Sequence, residues 1–123
     1  MVTFRRGYKG MINRAAVILK YKEPFVKWLN AVDPHEEDPG ISIEEANDDC
    51  TVYLINEKDG ENLDQWIALN YKTLFESELE DWYRDVSLWP NKLTQKLFHE
   101  WFEVTCHTAI YDTVGTPIVE DED

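Results

Sequence analysis

The sequence predicts an α+β two-layer sandwich: a three-stranded sheet covered on one face by about three helices. Three observations point there. Leu63, Trp66, Ile67, Tyr71, Leu74, Phe75, Leu79, Trp82 and Tyr83 recur at spacings of three and four, the stripe of one long amphipathic helix. Leu93, Leu97, Phe98, Trp101 and Phe102 repeat that spacing after a break at Ser87-Leu88-Trp89-Pro90. Three short runs, at 14–21, 50–55 and 104–111, have the length and pattern of strands. Four of the five tryptophans lie between Trp66 and Trp101, so the helical pair is expected to supply much of the core.

In chain order, residues 1–13 have no clear period and read as a flexible arm carrying Arg5, Arg6 and Lys9. Met11 stands just before the first strong structural signal and is an alternative translation start. Arg14 to Tyr21 has β-branched residues at its centre and reads as a buried strand. Pro24 suits the first turn of a helix, where its missing N–H is no loss, and Phe25, Trp28, Leu29 and Val32 give that helix an apolar face. Asp33-Pro34 ends it. His35 to Gly40 is a polar loop, and Ser42 with Glu45 has the spacing of a capping box. Cys50 to Ile55 is the second strand, and Asn56 to Gly60 reads as a turn.

The long helix is expected from about Asn62 to about Tyr83, with Glu61 and Asp64 near the positive end of its dipole and a kink near Ser77. A third helix is expected from about Asn91 to about Glu103. From Val104 the chain alternates, Val104, Cys106, Thr108 and Ile110 on one side, Thr105, His107, Ala109 and Tyr111 on the other, the mark of a strand with one face in the core. Residues 14–118 thus form a single domain and 119–123 an acidic tail. A helix joins each successive pair of strands, which leaves their relative directions open.

Charge bounds the partners. Twelve Lys and Arg stand against 25 Asp and Glu, a formal charge of −13, and without Arg5, Arg6 and Lys9 the remainder carries −16. Such a field repels phosphates and anionic bilayers, which excludes direct nucleic-acid or membrane binding and favours basic partners or cations. The longest apolar run, Ala15 to Leu19, is too short to span a membrane. Two cysteines in a domain large enough to fold without staples point to free thiols in a reducing, cytoplasmic compartment.

No complete chemical motif stands out. The acidic stretch from Asn56 to Asp64 fails the calcium-loop pattern, since counting from Gly60 puts Ile55 first and Trp66 twelfth. His99 and Glu103 lie four apart on the expected third helix, a spacing that presents two ligands to one cation, whereas Cys106 and His107 alternate onto opposite strand faces. No third or fourth ligand joins them, so neither a metal nor a cofactor is implied. Glu76, Glu80 and Lys72 fall on the outward face of the long helix. Glu78 falls on its apolar stripe, where burial would raise its pKa and where Arg84 or a lysine could pair with it. The pocket candidates are therefore Glu78, His99, Glu103, Cys106 and His107. Trp89, beside Pro90 at a helix–helix corner, is either a wedge in the core or an anchor for a partner.

With 48–55 (Asp-Asp-Cys-Thr-Val-Tyr-Leu-Ile), Ser87-Leu88-Trp89-Pro90 and His99-Glu100-Trp101-Phe102 in view, the chain resembles a group of short acidic bacterial proteins with no assigned activity. The likeness covers Arg14 to about Ile118 and implies no site. The residues themselves favour a protein-binding or regulatory module that meets a basic partner through Glu76, Glu80, Asp81 and Trp89, in its sharpest form an inhibitor that imitates phosphate spacing. A small enzyme or ligand-binding domain is the competing class. So many aromatics also raise the prospect of a homodimer.

Overall fold

Arg14–Tyr21 (β1) is the central strand of the sheet in the computed structural model, which describes residues 11–32 and 40–121. Val52–Asn56 (β2) and Phe102–His107 (β3) flank it, so the order is β2-β1-β3. Both pairings are antiparallel, with Ala16 opposite Leu54 on one side and His107 on the other. Alternation then sorts the side chains. Ala15, Val17, Leu19 and Tyr21 face the helices together with Tyr53, Ile55, Phe102, Val104 and Cys106, while Lys20, Leu54, Glu103, Thr105 and His107 face outward. Pro117 and Ile118 share a surface hollow with Arg14 and Leu54, so the end of the chain returns to that outer face.

The helices form the second layer. Glu23–Val32 (α1) buries Phe25, Val26 and Leu29, with Trp28 half-buried beside them. Ile43–Ala46 (α2) is capped by Ser42, whose hydroxyl accepts from Glu45 N at 3.1 Å and is also 3.1 Å from Glu45 Oε1. The expected reciprocal bond of the capping box thus returns to the hydroxyl rather than to the backbone. Gly40, just before, is needed twice over: its φ is +82°, and a Cβ there would lie 2.6 Å from Asn30 Oδ1. Asn30 uses that closeness, bonding both Ile41 N and Ile41 O at 2.8 and 2.9 Å.

Glu57–Glu61 (α3) is a short helix where the sequence suggested a turn, and Leu63–Trp82 (α4) follows as one uninterrupted helix without the expected kink at Ser77. Ile67, Leu74, Phe75 and Leu79 are buried on α4, and Leu63, Trp66, Tyr71 and Trp82 pack at the margin. The anticipated third helix is shorter than its apolar stripe. Val86–Leu88 forms a single 3-10 turn, Gln95–Trp101 (α5) begins at the Thr94 cap, and Phe102 already has the extended φ of −128° and ψ of 140° of the strand that follows. β3 therefore starts two residues early and ends at His107. Ile110 and Tyr111 instead meet Ile12 and Met11, through Ile12 N to Ile110 O at 2.8 Å and an isolated bridge. Met11 and Ile12, read from sequence as part of a loose arm, are thus tied to the fold. Residues 1–10, His35 and the Asp33-Pro34 stop lie outside the described residues.

Aromatic rings knit the layers. Phe75 lies 5.1 Å from Phe102, 5.5 Å from Trp101 and 6.1 Å from Phe98, mostly edge to face, and Tyr21 stacks on Phe25 at 4.0 Å. Each pair adds about 0.5–1.5 kcal/mol beyond area burial, and truncating a buried phenylalanine costs about 3–5 kcal/mol. Lys22 closes the far end of α5, its ammonium 2.8 Å from His99 O, where a cation complements the helix dipole. Among the described residues, no helix is long and apolar enough to cross a membrane.

Candidate functional site

Spacing puts Glu78 on the apolar stripe, because it stands three or four residues from Leu74, Phe75 and Trp82. It is 2% exposed, the one buried charged or polar side chain of the described core. Its partners are not the expected Arg84 or a lysine. Tyr21 Oη donates to Oε1 at 2.6 Å, and Tyr53 Oη donates to Oε2 in a very short bond. Each tyrosine is supported in turn: Trp82 Nε1 donates to Tyr21 Oη at 3.1 Å, and Ser77 Oγ lies 3.1 Å from Tyr53 Oη. Among the described residues no buried side-chain polar atom lacks a partner.

The surroundings pull Glu78 in two directions. Burial raises its pKa, the two tyrosine hydrogen bonds lower it, and the nearby negative charge of Asp81 raises it; the net shift is upward. Both tyrosines are pushed well above the ordinary phenol value, first by burial and then by the carboxylate itself. They therefore remain proton donors to Glu78 at any physiological pH. Asn47 completes the arrangement from a distance. β2 pairs only as far as Ile18, and beyond it the Asn47 side chain accepts from Tyr21 N at 2.8 Å and donates to Tyr21 O at 3.0 Å, as a neighbouring strand would. Sequence reading missed Tyr21, Tyr53, Asn47, Ser77 and Trp82. The available signal was the buried position of Glu78, since a buried carboxylate demands donors.

The remaining pocket candidates do not converge on Glu78. Cys106 faces the helices near Gly60, 3.8 Å from where a Cβ on Gly60 would stand. Glu103 and His107 point out from the opposite face of β3, and His99 is exposed on α5. The expected His99–Glu103 pair is lost because the helix ends at Trp101, which breaks the four-residue relation. Cys50 and Cys106 are not on neighbouring strands, since β1 separates them. Among the described residues no group of three or more His, Cys, Asp and Glu side chains is arranged to hold a metal ion.

The nominated partner-binding residues fare differently. Glu76 and Trp89 line one open groove of about 570 Å³, walled by Tyr71, Val86, Pro90 and Leu93 and flanked by Lys72 and Lys92. Trp89 is both wedge and wall: its ring packs against the core margin while Nε1 donates to Tyr83 O at 2.8 Å. Trp28 Nε1 donates to Leu88 O at 3.0 Å, and Asp85 Oδ1 accepts from Ser87 N and Oγ at 3.0 and 2.7 Å. The corner is thus held from three sides, and Val86 remains 65% exposed at its rim. Glu80 and Asp81 are exposed further along α4. A second, smaller cavity of about 230 Å³ lies between β2 and α4, lined by Tyr53, Leu54, Ile55, Trp66, Asn70, Thr73, Leu74 and Ser77.

Set against protein-family models, curated proteins and solved structures, the chain matches none.

Proposed function

We propose that this chain is a cytoplasmic protein-binding module that takes a basic segment of a partner protein in the groove between α4 and the 86–94 corner. The observation that carries the reading is the sharing of one groove by Glu76 and Trp89, with the exposed carboxylate of Glu80 one turn further along the same face of α4. A fixed indole with an adjacent acidic rim suits a cation followed by an apolar side chain, and a corner already held by hydrogen bonds costs little ordering on binding. Lys72 and Lys92 restrict the register, directing the partner's cations toward Glu76 and Glu80 and its apolar residue over Trp89. The formal charge of −13 steers such a segment inward from solution.

Fluorescence anisotropy tests this with labelled peptides combining lysines and one large apolar residue, titrated at low and high salt. Binding should weaken as salt rises, and the triple variant Glu76→Lys, Glu80→Lys, Asp81→Lys should bind about tenfold more weakly and with a flatter salt dependence. Equal binding by the triple variant, or no binding at low salt, would overturn the proposal.

A further inference from the structure

The sheet has a second surface that the corner groove does not explain. β2 is an edge strand, and its sequence Val-Tyr-Leu-Ile-Asn contains neither proline nor any charged residue. Edge strands that must avoid pairing are ordinarily blunted by such residues, by bulges or by a covering element. This edge borders the 230 Å³ cavity, whose α4 wall (Trp66, Asn70, Thr73, Leu74 and Ser77) runs along one helix face. We propose that the outer edge of β2 and this cavity receive an extended, basic-flanked segment of a partner protein as a fourth strand.

Main-chain hydrogen bonds to β2 would supply affinity, and alternate side chains of the added strand would point toward the helix layer. One medium-sized apolar residue fits the cavity between Trp66 and Leu74, with the amide and hydroxyls of Asn70, Thr73 and Ser77 at its rim. Charge selects the occupant. Asp48 and Asp49 precede β2, and Glu57, Lys58 and Asp59 follow it, so both ends carry net negative charge. A second copy of the chain, paired antiparallel across this edge, would set one end against the other and juxtapose like charges. A partner strand with lysine or arginine at both ends meets carboxylates at both ends instead.

The test uses the full chain and short peptides with lysines at each end and a central run alternating Val, Ile, Leu or Phe with Thr or Ser. A binding peptide should slow amide hydrogen exchange at Val52–Asn56. N-methylation of alternate peptide residues, which removes strand donors, should weaken it about tenfold or more, as should Thr73→Trp, which fills the cavity. Thr73→Arg provides a second block, by charge, should the tryptophan variant unfold on heating earlier than the parent. Val86→Arg, at the other groove, should leave this binding unchanged, which separates its failure from failure of the corner-groove reading. Unaltered binding of the N-methylated peptide, protection confined to 86–94, or no bound peptide would overturn the proposal. So would a dimer by light scattering that Thr73→Trp dissociates, which would give the edge to a second copy.

Discussion

Tyr21 and Glu78 are 57 residues apart in the chain and joined by a hydrogen bond of 2.6 Å. That contact ties the central strand to the long helix one turn before its C-terminal end, and Tyr53 ties the edge strand to the same carboxyl. A buried carboxylate with several donors is costly to leave half-partnered and confers little net stability when fully partnered. Its consequence is geometric: the helix has one rotation about its axis at which Glu78 meets both hydroxyls.

The pH dependence follows from the upward shift of Glu78. The ionised form is disfavoured more in the folded state than in the unfolded one, where its pKa is near 4.5. The contribution of this group to stability is therefore greatest below the unfolded value and is lost as pH rises through the higher folded value. Glu78→Gln removes that loss. Urea unfolding across this window should show the parent losing stability relative to Glu78→Gln as pH increases, with the two curves parallel above it. A constant difference at all pH would contradict the assignment.

Removing a donor pushes the carboxyl further in the direction in which burial already pushes it. Tyr53→Phe and Tyr21→Phe each delete one stabilising hydrogen bond, and each should cost about 1–3 kcal/mol at neutral pH. Tyr21→Phe should be the worse of the two, because it also leaves Trp82 Nε1 without its acceptor. In a double-mutant cycle with Glu78→Gln, the penalty of either tyrosine change should shrink, because an amide at position 78 cannot ionise. Additive penalties would show that the hydroxyls act independently of Glu78.

How far the sequence could be read is clear from these residues. The bounds of β1 were legible in full, and those of α4 to within a residue or so, because both rest on local signals, a β-branched apolar run in β1 and a helical period in α4. That period put Glu78 on the apolar stripe, with a place at its edge or partial burial both open. Its partners were not legible, since nothing local states that β1 lies between β2 and β3, and only that order brings Tyr21 and Tyr53 to one carboxyl. The His99–Glu103 relation failed for a similar reason: an apolar stripe through Phe102 serves a helix or a strand equally well, and the sheet claimed it. The alternation of Phe102, Val104 and Cys106 was the signal for the earlier strand start.

Gly60 is a helical glycine with a reason. A Cβ there would stand 2.7 Å from the Cβ of Ala15, a fully buried residue of the central strand. The usual gain in helix propensity from Gly60→Ala should therefore be reversed, to a loss of about 1–3 kcal/mol by denaturant unfolding. Ala15→Gly in the same chain should recover part of it, although it removes a buried methyl of its own. A stabilised single variant would mean that α3 moves off the sheet at little cost.

The cysteines offer a last check on strand order. Cys106 lies in β3 and Cys50 leads into β2, on opposite sides of β1, so two inter-strand spacings, roughly 9–10 Å, separate their backbones. That exceeds the Cα separation of about 7 Å beyond which a disulfide cannot close without backbone movement. Burial also pushes both thiols up from the ordinary cysteine value, leaving little thiolate at neutral pH. Mild oxidant should therefore yield no intramolecular bridge, and alkylation should be slower than for free cysteine at pH 7, quickening at a higher pH than free cysteine does. A chain that loses two hydrogens by mass spectrometry under native conditions, with peptide mapping to Cys50–Cys106, would place β2 beside β3 and overturn the sheet order on which the Glu78 cluster depends.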